Sequence, residues 1–235
     1  MKTRFILYTG LRTIGGVVFS VEYGQDRVIM EMGSAYNPST DVYDGVVLPR
    51  AKAWVRDAIR TGRIPAIDGI YRKQDLDGFM GLVPAEESPY NTAIFITHLH
   101  LDHMAGIGYV APQIPIYMNE NAIRLERALE ATGEGVETLA HEYTHFAEDQ
   151  PIRVGAIEVL PILTSRRSYR DFAFLITTPD GTIHNTGDLS LHGHEAQLTL
   201  NQMEFLKAKG IDVLLCDTTA FMDEILLQIN DTTDP

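Results

Sequence analysis

The sequence of 235 residues predicts an α/β protein, and three observations lead to that class. Short apolar segments rich in β-branched and aromatic residues recur along the chain, bounded by glycine and proline, as is typical of strands. In the last two thirds these segments alternate with stretches whose apolar residues have helical spacing. The hydrophobic content of 45% is enough to fill a core, and no linker-like segment divides the chain, so we expect one domain over residues 1–235.

The first third begins with three predicted strands that form an opening meander, read from the segments RFILY, GGVVFSVEYG and RVIMEMG. Residues 37–90 contain many prolines and glycines, and we expect an ordered insertion with one or two helices there. The stretch PRAKAWVRDAIRTG predicts one of these helices, because Pro49 precedes its apolar pattern and Gly62 follows it.

Strands and helices alternate over the rest of the chain. Strands are predicted from AIFIT, IPIYM, IRVGAIEVLPIL, AFLITT, TIHNTG and IDVLLCD. Helices are predicted from NENAIRLERALEATG and HEAQLTLNQMEFLKAKG.

Composition excludes several classes of protein. No apolar run approaches the roughly 18 to 20 residues that a membrane-spanning helix needs, so we expect no membrane association. The net charge of −13 disfavours nucleic-acid binding over the surface as a whole, because such binding depends on phosphate contacts from Lys and Arg. The single cysteine, Cys216, cannot form an internal disulfide, and we expect it to be buried in a cytoplasmic protein.

The segment THLHLDHMAG, residues 97–106, carries the strongest chemical signal in the chain. It follows a predicted strand, at the end where α/β folds place ligand sites. His98 and His100 point the same way if extended, so both can reach one metal ion. Asp102 and His103 then turn toward a second position, which suits a pair of ions that activate water. The alternatives are a solvated polar turn or core histidines satisfied by hydrogen bonds, and neither readily gathers four such residues in six positions.

These residues resemble a known family. HLHLDH is similar to the HxHxDH signature of the metallo-β-lactamase fold hydrolases. The opening meander resembles theirs, with Glu31 where an acidic residue usually supports the metal ligands. TIHNTGDLS resembles the turn whose aspartate, here Asp188, bridges two metals. VLLCDTT resembles the corresponding strand of the ribonuclease J and β-CASP branch. The resemblance implies a four-layered αββα sandwich.

The resemblance also implies a metal-dependent hydrolase that uses Zn or Mn, with one or two ions activating water. The implied metal ligands are His98, His100, Asp102, His103 and Asp188, and Asp102 is also the implied catalytic residue. The implied substrate is a phosphodiester, above all single-stranded RNA. Because related nucleases often form dimers, we also expect a homo-oligomer.

The chain departs from the family pattern at two ligands. Where related nucleases read His-Ser, this chain has Thr164 and Ser165, and threonine is a poor ligand for a divalent ion. The final family histidine is absent as well. For this final histidine, either the chain is the N-terminal part of a longer polypeptide with a capping domain, or the protein is short and other histidines replace it. The threonine at position 164 is unexplained under either account. The histidines that flank Asp188 are His184, His192 and His194.

A second motif, HEYTH at residues 141–145, satisfies the HExxH pattern of zinc proteases. The zinc-protease hypothesis requires a helix with His141 and His145 on one face and Glu142 as general base. No downstream third ligand is evident, so we expect these histidines to be surface or loop residues.

The basic segment RRSYR follows Ser165 directly and contains Arg166, Arg167 and Arg170. Together with Ser165, Arg166 and Arg167 are candidates for holding a phosphodiester. The competing interpretation is an exposed loop whose arginines pair with nearby carboxylates. Two other functions stay open: hydrolysis of a small ester, lactone or thioester, and a scaffold domain that has lost its metal.

Overall fold

The computed structural model describes residues 1–11, 13, 15–34, 50–136, 139, 141–165, 170–189 and 196–216. Within these residues two β-sheets stack face to face with helices on both outer sides. This arrangement confirms the predicted αββα sandwich.

The first sheet has six described strands in the order β1-β2-β3-β4-β5-β6. The strands are β1 (Arg4–Thr9), β2 (Val18–Tyr23), β3 (Asp26–Met30), β4 (Asn91–Phe95), β5 (Ile116–Asn119) and β6 (Tyr143–Phe146). The first three pair antiparallel, which confirms the predicted meander. The next pairs are parallel, so the carboxyl ends of β3 and β4 lie side by side. That edge carries the histidine cluster.

The second sheet has five described strands in the order β11-β10-β9-β8-β7. The strands are β7 (Ile152–Val154), β8 (Ile157–Ser165), β9 (Asp171–Thr178), β10 (Gly181–Asn185) and β11 (Val213–Leu215). All pairs are antiparallel except β10 with β11. The prediction that Cys216 is buried is wrong, because β11 lies at the edge of the described sheet and leaves Cys216 exposed.

Alternating side chains divide the apolar residues of each strand between two cores. In β3, Val28 and Met30 face the second sheet, where they pack with Phe174 and Ile176. Ile29, between them, faces the outer helices instead. The core between the sheets therefore fixes the distance between β4 and β10, whose following turns supply the candidate metal ligands.

The helices cover the outer faces of the sandwich. They are α1 (Trp54–Arg60), α2 (Lys73–Leu76), α3 (Leu101–Met104), α4 (Glu120–Thr132) and α5 (Ala196–Lys209). Short 3-10 turns cover Phe79–Gly81, Ala85–Glu87 and Ile107–Tyr109. α4 begins where predicted, because Asn119 Oδ1 accepts a hydrogen bond from the Ala122 backbone N–H at 2.9 Å. It ends at Gly133, which has φ 78°.

Part of the predicted insertion belongs to the core. α1 and the residues after it place Val55, Ala58, Ile70 and Leu76 against the outer face of the first sheet. Residues 37–49 of the insertion lie outside the described residues. No helix in the described part of the chain has the length and apolar character to cross a bilayer.

Candidate metal centre

The histidine cluster lies in the turn after β4. The strand ends at Phe95, and Thr97 and His98 follow it closely. His100 directly precedes the single turn of α3, which carries Asp102 and His103. His98 and His103 are almost fully buried, whereas His100 and Asp102 remain partly open to solvent. The turn therefore offers two buried and two accessible side chains to one small region.

Asp188 approaches this turn from the second sheet. Its Oδ2 atom lies 3.3 Å from Nε2 of His98 and 3.6 Å from Nδ1 of His100. Its Oδ1 atom lies 3.1 Å from Nε2 of His103. The two oxygens of one carboxylate thus face two different sets of histidines.

The predicted ligands converge in the structure. Potential ligand atoms of His98, His103 and Asp188 all lie within 4.8 Å of one another. His100 joins them through its Nδ1, which lies 2.8 Å from Nε2 of His98. Asp102 joins on the other side, with Oδ2 lying 3.6 Å from Nε2 of His103.

The Nδ1 atoms of the two buried histidines contact polar groups that fix the orientation of the imidazole rings. Thr97 Oγ1 lies 2.9 Å from Nδ1 of His98 and 3.5 Å from Nδ1 of His103. Glu31 Oε1 is also 3.5 Å from Nδ1 of His103. Since the Nδ1 atoms of His98 and His103 are engaged in this way, their Nε2 atoms face Asp188.

Glu31 is held in an unusual position. It follows β3 with φ 64°, a left-handed conformation that is uncommon outside glycine, and its side chain is buried. Its Oε2 accepts a hydrogen bond from the Thr97 backbone N–H at 3.3 Å. Such backbone conformations cluster at functional sites, and Glu31 lies where the sequence predicted an acidic residue behind the ligands.

The electrostatics of the cluster favour a bound cation. Burial disfavours a charged imidazole, but the carboxylates of Glu31 and Asp188 outweigh it and raise the pKa of His103 well above its ordinary value. Burial likewise opposes ionisation of Asp188, but hydrogen bonds from His103 and His98 hold its pKa well below its ordinary value. Imidazole nitrogens and carboxylate oxygens suit Zn, Mn and Fe. The donor set therefore fits a divalent metal.

A cleft of about 260 Å³ opens beside the cluster. Its ionisable lining residues from the cluster are Glu31, Asp102, His103 and Asp188. Its described walls are largely uncharged, formed by Leu7, Gly10, Leu11, Thr13, Gly15, Val17, Asn185, Gly187, Leu215 and Cys216. Asn185 was not predicted from the sequence; its Nδ2 is buried and has no hydrogen-bond partner among the residues that the structure describes. Thr97 was missed as well, although its place next to His98 was the available signal.

Thr164, at the position where the family resemblance implies a histidine, takes part in the sheet. Its side chain is buried, and its hydroxyl donates a hydrogen bond to the Asp171 carbonyl at 3.1 Å. His184 does not join the cluster either. Its Nδ1 lies 3.2 Å from the Phe174 carbonyl, and its Nε2 lies 3.0 Å from Nε2 of Gln202 in α5. His192 and His194, the other proposed replacements, lie outside the described residues.

The hypothesis that HEYTH is a zinc-protease motif is wrong, because residues 143–146 form β6 and not a helix. His141 is buried while His145 is exposed, so the two do not share one helix face. Among the basic residues, Arg170 pairs with Glu148 at 3.2 Å, as the competing interpretation of that segment expected. Arg166 and Arg167 lie outside the described residues, and so does the side chain of Ser165.

Residues 71–232 match the model of a family described as the beta-lactamase superfamily domain. The chain belongs to this superfamily. It is 25% identical over 233 residues to ribonuclease J of Pyrococcus abyssi, covering 93% of this chain and 46% of that protein. The chain therefore spans less than half of the length of this relative. The superfamily assignment and the fold confirm the resemblance that the HLHLDH segment indicated.

Two solved structures are similar to this chain. A protein of unknown function from Enterococcus faecalis V583 superposes with a TM-score of 0.76 at 28% identity, covering 92% of this chain and 50% of that one. The metallo-β-lactamase fold protein YhfI from Bacillus subtilis superposes with a TM-score of 0.52 at 17% identity, covering 91% of this chain and 70% of that one. The second likeness concerns the fold alone.

Proposed function

We propose that this chain is the metal-binding part of a hydrolase that cleaves phosphodiester bonds, with single-stranded RNA as substrate. The observation that carries the proposal is the position of Asp188, whose two oxygens face His98 and His103 separately. A carboxylate placed in this way suits two neighbouring divalent ions. The similarity to ribonuclease J supports RNA as the substrate.

The metal ligands in this proposal are His98, His100, Asp102, His103 and Asp188, with Zn or Mn as the ion. One or two such ions would supply Lewis acidity, which makes water more acidic and polarises the scissile bond. Glu31 and Thr97 hold the imidazoles with Nε2 directed at Asp188. These residues keep the donors in place before substrate arrives.

Asp102 is proposed as the catalytic residue because its carboxylate is open to solvent, unlike that of Glu31, and lies on the His103 side of the cluster. Its Oδ2 can accept a proton from the attacking water and return it to the departing oxygen. Ser165, Arg166 and Arg167 are proposed to contact the phosphate, since guanidinium groups bind phosphate oxygens in pairs. Their local charge would offset the acidity of the chain as a whole.

The test is cleavage of a labelled single-stranded RNA by protein loaded with Mn or Zn, compared with Asp102→Asn and Asp188→Asn. We expect cleavage by the wild type and a loss of roughly 100-fold or more in both variants. Asp149→Asn is a matched control, because Asp149 is exposed and its φ of 57° is one that asparagine tolerates. Absence of cleavage of RNA and of bis(p-nitrophenyl) phosphate would contradict the proposal.

A second candidate function has its own observation. The described lining of the cleft contains no lysine or arginine, and Leu7, Leu11, Val17 and Leu215 contribute to its walls. Such walls suit the apolar part of a small ester, lactone or thioester. Hydrolysis of p-nitrophenyl esters that is abolished by Asp188→Asn, without activity on RNA, would favour this alternative.

A scaffold role without catalysis is the third candidate, supported by Thr164 in place of a metal-binding histidine. It predicts that the loaded protein holds no tightly bound ion. Metal content therefore separates it from both enzymatic candidates. The oligomeric state, proposed as a homo-oligomer, is measured in the same samples by light scattering.

A further inference from the structure

Two glycines leave no room for a side chain beside Asp102. Gly15 lies in the loop between β1 and β2 with φ +67°, and a Cβ atom there would lie 2.4 Å from Cβ and 2.6 Å from Oδ2 of Asp102. Gly33 follows β3, and a Cβ atom there would lie 1.6 Å from the Asp102 carbonyl oxygen. Both segments therefore contact Asp102 more closely than any other residue type permits.

The same segments hold the backbone of α3. The Gly16 N–H donates to the Asp102 carbonyl at 3.0 Å, and the Met32 N–H donates to the His103 carbonyl at 2.8 Å. The Ser34 N–H donates to the Leu101 carbonyl at 3.2 Å. A helix of one turn has little stability of its own. The position of α3 therefore depends on hydrogen bonds from residues distant in sequence.

We propose that Gly15 and Gly33 are positioning residues for the Asp102 carboxylate, an inference that rests on the proposed function. Gly33 lets the chain after β3 lie against the Asp102 carbonyl, which accepts a hydrogen bond from the Gly16 N–H, and Gly15 limits where the Asp102 side chain can turn. Together they keep Asp102 Oδ2 at 3.6 Å from Nε2 of His103. A methyl group at position 15 would displace the carboxylate from the cluster.

The test compares Zn affinity, measured by calorimetry on chelator-treated protein, in wild type, Gly15→Ala and Gly62→Ala. Gly62 is a matched control, because its φ of +72° imposes the same backbone penalty and nothing lies within 4 Å of its added Cβ. We expect Gly15→Ala to weaken Zn binding roughly 10- to 100-fold. Gly62→Ala should bind Zn as the wild type does. Equal Zn affinity in Gly15→Ala and wild type would overturn the proposal.

A second comparison separates positioning from simple packing. In an Asp102→Ala background the carboxylate is gone but its Cβ remains, so Gly15→Ala should still lower the melting temperature while no longer weakening Zn binding. A further loss of Zn affinity in that background would overturn the proposal.

If Gly15→Ala fails to fold, the double variant Gly15→Ala/Asp102→Gly should recover folding, since it removes the atoms that collide. Failure of this rescue would overturn the proposal. If the wild type binds neither Zn nor Mn, the proposed function fails, and the rescue still tests the contact between Gly15 and Asp102. If the wild type binds Zn and Gly15→Ala binds it equally well, only the positioning role fails.

Discussion

Oδ1 of Asp188 lies 3.1 Å from Nε2 of His103, across the gap between the two sheets. His103 belongs to the turn after β4, and Asp188 to the turn after β10. The contact therefore depends on the packing of both sheets around their shared apolar core. Because the second oxygen of Asp188 faces His98 and His100, one side chain joins both halves of the cluster.

Replacement of Thr97 by valine should weaken metal binding. The change keeps the shape of the side chain but removes the hydroxyl that contacts Nδ1 of His98 and of His103. We expect a loss of roughly 10- to 100-fold in Zn affinity, because groups behind metal-binding histidines orient the rings. Competition with a chromophoric chelator measures the Zn affinity of the Thr97→Val variant and of the wild type.

Thr164→Val is the matched control for that experiment. Thr164 is also a buried threonine with a bonded hydroxyl, but its partner is the Asp171 carbonyl. The Thr164→Val substitution should lower the free energy of unfolding by about 1 kcal/mol and leave Zn affinity unchanged. A comparable loss of Zn affinity in both variants would contradict the role assigned to Thr97.

His184 should make stability depend on pH. Burial lowers the pKa of His184 to about 4, below the value of about 6.5 expected in the unfolded chain. Between these values the unfolded chain binds more protons, so the folded state loses stability as the pH falls through 6.5 toward 4. We expect this residue to account for about 2 kcal/mol between pH 7 and pH 5.

Urea denaturation of metal-free wild type and His184→Gln measures this contribution as the difference between the two proteins at each pH. Other titrating groups cancel in the difference. A difference that stays constant from pH 7 to pH 5 would show that His184 is not buried in its neutral form.

The arginines before Arg170 should govern binding of RNA. If Arg166 and Arg167 contact phosphates, their replacement by alanine should weaken binding of single-stranded RNA. The slope of log affinity against log salt should decrease by about 1.4, since each phosphate contact contributes about 0.7. Arg170→Ala is the control, because that guanidinium pairs with Glu148. Equal salt slopes in the double variant and the wild type would exclude this contact.

The sequence predicted those parts of the molecule that depend on local pattern. The meander, α4 and the turn after β4 all have signals within a few residues, such as Asn119 and Gly133 at the ends of α4. β6 was not predicted, because the apolar spacing around residues 139–146 also fits a helix. Parallel pairing with β5, which places Tyr143 opposite Ile116, determines the strand.

The site was predicted only in part, because only some of its residues lie within one short stretch of sequence. His98, His100, Asp102 and His103 are neighbours in sequence, whereas Asp188 was found only through the family resemblance. Gly15 and Gly33 gave no local signal for their contacts with Asp102, which exist only after β1, β2 and β3 have packed against α3. The exposure of Cys216 likewise depends on the edge position of β11.

Metal content per chain tests the proposed centre most directly. Protein is stripped with chelator, reloaded with Zn or Mn, desalted and analysed for its elements, beside Asp188→Asn and the Asp149→Asn control. We expect one to two tightly held ions per chain in the wild type and the control, and a loss of at least one of them in Asp188→Asn. Wild-type protein that retains no more metal than Asp188→Asn would contradict a metal centre joined by Asp188.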